Sequence, residues 1–365
     1  MYSIQNIIDV LEKEAPLALQ ENYDNSGIQV GDVNQTATGA LLTLDVTEEV
    51  VDEAIRKNCN LIISHHPLIF KGLKSITGNT YVERCIIKAC KNSIVIYSAH
   101  TNYDNTITGV NQKIAEKIGL INLEVLAEQK NMLEKLITFV PTQHAENVRN
   151  SLFKAGAGHI GNYDSCSFNG TGVGTFQAQQ NAHPYCGEIG KLHQEEEVRI
   201  EVIFPVFLKS KIIKALQEVH PYEEPAFDFY PLTNTWKQAG SGIIGDLPQP
   251  IEVNAVFTQL KTIFNVPQIK HSRLFGEKIQ KIALCGGSGA FLISEAKKKK
   301  ADLFITGEIK YHDFFGLDDQ IIIAEIGHYE SEQFTKELFY DIITKNISNF
   351  AVHFSDVLTN PVKYF

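Results

Sequence analysis

The sequence predicts an α/β fold: a core built from two pseudo-repeated α/β halves, interrupted by an inserted ferredoxin-like α+β domain. Three observations predict it. Short Ile/Val/Leu-rich runs alternate with amphipathic stretches of helical period at both ends of the chain. The two ends can be laid over one another. Between residues 129 and 235 the alternation gives way to a different order of elements. The 365 residues allow two or three domains, and the boundaries fall at 1–128 for the first half of the core, 129–235 for the insert and 236–365 for the second half.

In chain order, GALLTLD (39–45) reads as a strand, VTEEVVDEAIRKN as a helix, LIIS (61–64) as a buried strand, TYVERCIIKACKN as a helix and SIVIYS (93–98) as a strand. Strand-helix-strand spacing of this kind implies right-handed crossovers. The same grammar returns in KIALCGG (281–287), the helix through ISEAKKKK, DLFITG, IIIAE and a long final helix from Glu330. In the insert, LEKLITFVP is a strand and HAENVRNSLFKAG a helix, and the Gly-rich run that follows holds strands with loops. EEEVRIEVIFP is then a strand, LKSKIIKALQEV a helix and PAFDFYPL a last strand. That order, β-α-β-β-α-β, is the split βαβ unit.

The repeat is visible residue by residue. Residues 53–66 laid over 295–308 pair Ser64 with Thr306 and His66 with Glu308, and residues 94–104 laid over 322–332 pair His100 with His328 and Asp104 with Glu332. Each half therefore carries H-x-x-x-[D/E] after a strand, so polar groups from both halves would converge.

Composition excludes several classes. Hydrophobic residues at 44% and charged residues at 21% rule out disordered and collagen-like chains. The net charge of -10 supplies no cationic field for nucleic acid or anionic lipid. The first residues lack a basic segment followed by an apolar one, and no apolar run approaches bilayer length, so a cytoplasmic protein with no membrane partner is expected. The six cysteines show no C-x-x-C pair and read as reduced, structural or incidental thiols.

Candidate chemistry sits at strand ends, where open α/β sheets place ligand groups. His65 and His66 follow LIIS, Asp104 follows SIVIYS, and His328 and Glu332 lie four apart, on one face of a helix. Imidazole and carboxylate without thiolate suit borderline divalent ions such as zinc, iron or manganese. Two ions need a bridging carboxylate, which Asp104 or Glu332 can supply. Paired ions polarise a scissile bond and activate water, which points to hydrolysis. His100 and Glu308 are the remaining repeat partners, expected to orient ligands or move protons as catalytic groups. Asp45 and His312 read first as a strand-end cap and a solvated surface group.

LDVTEEVVDEAIRKNCNLIISHHPLIF, SAHTNYDN, GGSGAFLISEAKKKKADLFITGEIKYHD and GHYESE resemble the GTP cyclohydrolase 1 type 2 homolog family, the Nif-three-like proteins. The resemblance covers nearly the whole chain, including AGAGHIGNYDSCSF and HPYEEPAFDFYPL. It implies a dinuclear site with His65, His66, Asp104, His328 and Glu332 as ligands, a PII-like insert and a toroidal homohexamer. It also implies that Asn25, Ser26 and Gly27 lie near the cavity. GTP ring opening is implied only in the family's name, so the expected substrate is a purine nucleotide or related small molecule, with a non-catalytic regulatory or scaffold ring as the alternative. The acid/base groups left over at His100 and Glu308 favour the enzyme.

Three other features carry less. GGSG (286–289) follows a strand and can cradle an anion, but glycine for tight packing is the simpler reading. Lys297–Lys300 reads as a solvated face. His159, His183, His193, His220, His271 and His353 lack a partner at metal-ligand spacing.

Overall fold

In the computed structural model, which describes residues 2–363, the chain forms two units. One is drawn from both ends, up to Glu128 and from Gln238 onward; the other is Gln129–Lys237.

The first unit is built on two mixed sheets. In one, the strand order is Gly27–Val30, Val95–Ser98, Leu61–Ser64, Ala40–Thr43 and Val352–Phe354; all neighbours are parallel except Gly27–Val30 against Val95–Ser98. In the other, the order is Lys270–His271, Ile322–Glu325, Leu303–Thr306, Lys278–Cys285, Trp236–Glu252 and Ile121–Gln129. Its three central parallel strands are likewise flanked by an antiparallel one, Lys270–His271 on Ile322–Glu325. The strands at 40–43, 61–64, 95–98 and 303–306 are buried along their whole length. That is why they are continuous apolar runs rather than alternating ones.

Register sets polar ends side by side. Thr43 is paired with Ser64 and Ser64 with Ser98 in one sheet, and Cys285 with Thr306 and Thr306 with Glu325 in the other. Helices pack where their caps and apolar faces dictate. Ser3 caps Ile4–Glu14 in a reciprocal box with Asn6, and Ile4, Ile7, Ile8 and Leu11 on one helical face enter the main core. Thr47 and Thr80 cap Glu48–Arg56 and Tyr81–Lys91 through their hydroxyls.

One expectation needs correction. The final helix does not run unbroken from Glu330: His328–Glu332 is a short helix of its own, followed by Thr335–Asn346. At the join, the Gln333 amide donates to Phe264 O and the Phe334 ring packs on Phe264, which anchors the chain between the two helices. The 17-residue strand Trp236–Glu252 is an element that the sequence reading did not assign. Its QAGSG segment (238–242) carries two glycines. It is a strand because Gly240 (φ 155°) sits against the backbone of Ala127 and Glu128, where a Cβ would collide with Ala127 O.

In the second unit the strands Leu133–Pro141, Phe168–Gln177, Leu192–Pro205 and Phe227–Pro231 make one antiparallel sheet, ordered 168–177, 192–205, 133–141, 227–231. The helices Ala145–Lys154 and Lys209–Val219 cover one face through Val148, Leu152, Ile212 and Leu216 packed on Leu136, Ile200 and Val202. By strand alternation, Glu197, Arg199 and Glu201 lie on the other face. Among the described residues, no helix is long and apolar enough to cross a membrane.

Candidate metal centre

His65 and His66 leave the end of the strand at 61–64 with their backbone fixed: His65 N–H donates to Thr43 O and His66 N–H to Leu44 O. The two rings then point to different neighbours. His65 Nδ1 lies 2.9 Å from Ala99 O. A carbonyl only accepts, so Nδ1 carries a proton and Nε2 is the atom that faces the carboxylates; burial disfavours the charged ring, but Asp104 and Glu332 outweigh it and raise His65. His66 Nδ1 lies 2.7 Å from Asp45 Oδ1, and its Nε2 lies 2.9 Å from Glu332 Oε2. His328 is held in the same manner, with Nδ1 2.9 Å from Glu308 Oε1 and Nε2 3.2 Å from Glu332 Oε2.

The two oxygens of Glu332 face two sets of donors. Oε2 meets His66 and His328, whose Nε2 atoms are 3.4 Å apart. Oε1 is 3.7 Å from His65 Nε2, which in turn is 3.7 Å from Asp104 Oδ1. His65 Nε2 and Asp104 Oδ1 are buried without a hydrogen-bond partner. Two buried polar atoms that face each other without a partner are costly unless a cation, whether a proton or a metal ion, sits between them. The two sets, His65/Asp104/Glu332 and His66/His328/Glu332, are therefore groups that can hold metal ions, and their nitrogen and oxygen donors suit a borderline divalent ion.

Residues 2–361 match the family described as Duf34/NIF3 (NGG1p interacting factor 3). The chain belongs to the Duf34/NIF3 family. It is 39% identical to the GTP cyclohydrolase 1 type 2 homolog of Halalkalibacterium halodurans, over 99% of this chain and 98% of that protein. It is 37% identical to the homolog of the same name in Bacillus subtilis, over 99% and 98%. Among solved structures, a Bacillus cereus protein related to NIF3 superposes with a TM-score of 0.86 at 39% identity, covering 100% of this chain and 99% of that one. A Staphylococcus aureus protein superposes with a TM-score of 0.78 at 30% identity, over 100% and 99%.

Electrostatics in this Duf34/NIF3 chain follow from the crowding of donors. Burial disfavours the charged form of His66, but the carboxylates of Asp45 and Glu332 outweigh it and hold the imidazolium up to about 10. His328 is raised to about 9, burial again being outweighed by Glu332. Burial raises the Asp104 carboxyl, and the nearby Glu332 charge adds to it against the pull of His65. The crowding thus favours protonation of His66 and His328 where no metal is bound, and an ion binding there would displace those protons.

The five residues expected as ligands are brought together, and both expected accessory groups are nearby. Glu308 holds His328. His100 Nδ1 lies 2.8 Å from Asp24 Oδ1, and Asp24 also accepts from Ser26 Oγ, Thr101 N–H and Thr101 Oγ1. Burial would raise the Asp24 carboxyl, but the hydrogen bond and charge of His100 hold it well below the usual range. Sequence reasoning passed over Asp24 in favour of its neighbours Asn25, Ser26 and Gly27. These do not line the cavity: Ser26 braces Asp24, and Asn25 donates to Ile69 O. Asp45 is more than a cap, since it accepts from Thr359 Oγ1 as well as holding His66. His312 packs with Tyr311 and Phe315 and does not line the site.

The GGSG loop is not an anion cradle. Its N–H groups at Gly286, Gly287 and Gly289 donate to Asn111 Oδ1, Ser331 Oγ and Thr306 Oγ1. Gly287, at φ 61°, lies against Glu332, and a Cβ there would strike Oε1. Glycine here keeps the carboxylate in place between the two donor sets. The centre opens into a cavity of about 500 Å³, with Tyr23, Phe70, Tyr81 and Phe291 around it and no Lys or Arg among its described lining residues.

Proposed function

We propose that this chain binds two divalent ions, zinc, iron or manganese, and hydrolyses a purine nucleotide or related small molecule. The observation that carries the reading is the division of the Glu332 oxygens between two donor sets. Glu332 would be shared by both ions, with His65 and Asp104 holding one and His66 and His328 the other. Such a pair supplies Lewis acidity and eases deprotonation of water. The residues of the chain do the rest. Ala99 O, Asp45 and Glu308 fix the three ligand imidazoles, as the outer partners of metal-bound histidines do. His100, turned by Asp24, keeps Nε2 available to take or return a proton at the substrate.

The aromatic side chains around the cavity offer flat apolar surfaces against which a heterocyclic base can stack. The name GTP cyclohydrolase 1 type 2 homolog, carried by the relatives, agrees with a purine substrate. We further read the core as a repeat of two α/β halves, the insert as a ferredoxin-like, PII-like domain, and the assembly as a cytoplasmic homohexameric ring.

The test is turnover by metal-loaded protein. GTP and other purine nucleotides should lose their purine absorbance at a rate abolished by Glu332→Ala and lowered by His100→Ala with metal content retained. Two ions per chain without turnover of any purine nucleotide would instead favour a regulatory or scaffold role.

A further inference from the structure

A second ligand cluster lies in the unit Gln129–Lys237. Cys186, His193 and Glu195 each offer one atom, and these atoms lie within 4.8 Å of one another. His193 and Glu195 alternate along the strand Leu192–Pro205, so both side chains stand on one face. This is the sheet face not covered by the two helices, since Val198, Ile200 and Val202 of the same strand take the covered one. His193 Nε2 lies 2.9 Å from Glu195 Oε2.

Cys186 arrives from the loop that joins the two long strands. Gly187, at φ 80°, lets that loop lie on the imidazole, because a Cβ there would come 2.9 Å from His193 Cβ and Cγ. Burial and the neighbouring Glu195 carboxylate raise the Cys186 thiol above its usual value. Phe176 packs 5.3 Å from His193, centroid to centroid. The ring of Tyr222 lies 5.9 Å from that of Phe176. All three candidate ligands are partly exposed, so an ion can reach them from solvent.

We propose that Cys186, His193 and Glu195 form a mononuclear site for a thiophilic divalent ion, zinc above all. One thiolate, one imidazole and one carboxylate are three of the four ligands of a tetrahedral zinc site, and the fourth position stays open to solvent or ligand. Phe176 and Tyr222 also line a cavity of about 800 Å³ together with Tyr185 and Glu197, so a molecule held there reaches the edge of this site. The donor set differs in kind from that of the Glu332 centre, which contains no thiolate. That difference makes the proposal testable in the intact chain.

Cobalt(II) is the probe, because thiolate ligation gives an intense near-ultraviolet charge-transfer absorption that imidazole and carboxylate ligands do not. Metal-free full-length protein titrated with cobalt(II) should develop this band. Cys186→Ser should abolish it, and His193→Ala should weaken cobalt binding by ~10-fold or more. Cys285→Ser, which changes the thiol lining the other cavity, should leave it intact, as should Glu332→Ala. A missing band, or one that survives Cys186→Ser, overturns the site. Should Cys186→Ser lose its far-ultraviolet circular dichroism, alkylation of the unsubstituted chain decides: zinc should protect Cys186 from iodoacetamide, and equal labelling with and without zinc refutes the proposal.

Discussion

Substituting Gly287 by alanine tests how the fold holds the bridging carboxylate. Two costs arise at this position. The φ of 61° places an L-residue in the left-handed region, which costs roughly 1–2 kcal/mol. The added Cβ also strikes Glu332 Oε1, the oxygen that faces His65 and Asp104, so the carboxylate must move. Gly119 separates the two costs. Its φ is 84°, but nothing lies within 4 Å of the Cβ it would gain. Both variants should therefore lose ~2–8 °C in Tm, at about 2–4 °C per kcal/mol for a unit of this size. Only Gly287→Ala should also lose metal. Differential scanning calorimetry of metal-free protein reads the first effect, and elemental analysis after reloading reads the second. A Gly287→Ala protein that binds metal as tightly as the parent would refute the placement of Glu332 by this loop.

Further expectations follow from the same geometry. Asp45→Asn keeps a hydrogen-bond acceptor for His66 but removes the charge, so metal affinity should fall by ~10–100-fold in competition with a chromogenic chelator. The buried Glu53 carboxyl is raised by desolvation but held down to about 2 by Asp356 N–H, Lys57 and Ser355. Its folded value lies below its unfolded one, so this stabilisation is complete above about pH 4.5 and lost as pH falls toward 2. Glu53→Gln should accordingly flatten the acid limb of a Tm-against-pH curve. Phe339 is fully buried, with its ring edge-on to Tyr103 at 5.1 Å. Phe339→Ala should cost ~3–5 kcal/mol by urea denaturation.

What the sequence revealed follows from what chemistry needs locally. His65, His66, Asp104, His328 and Glu332 were legible because each stands just past a buried apolar strand or on a single helical turn, where spacing fixes direction. Asp45, at the end of the first strand, was a weaker candidate read first as a cap, because its partner His66 lies 21 residues away, and Asp24 was missed, since its role arises from a partner 76 residues away. An isolated aspartate in a polar stretch gives no signal of such a partner. The parallel strands announced themselves by continuous burial. The strand Trp236–Glu252 was not assigned, because its glycines supply no apolar pattern and the close approach that requires Gly240 is visible only with the neighbouring strand Ile121–Gln129 in place. Cys186, His193 and Glu195 were scattered by ligand-spacing rules because the cysteine enters from a loop while the other two share a strand.

Metal stoichiometry bears most directly on the paired centre. Full-length protein purified without chelator, or reloaded with zinc, manganese or iron, should hold about two ions in the Glu332 centre, counted in a Cys186→Ser background so that the second cluster does not contribute. His65→Ala should retain about one, because His66, His328 and Glu332 remain for the other ion. Glu332→Ala should fall toward none, since both sets lose a shared donor. No bound metal after reloading, or two ions still held without Glu332, would contradict a bridged pair.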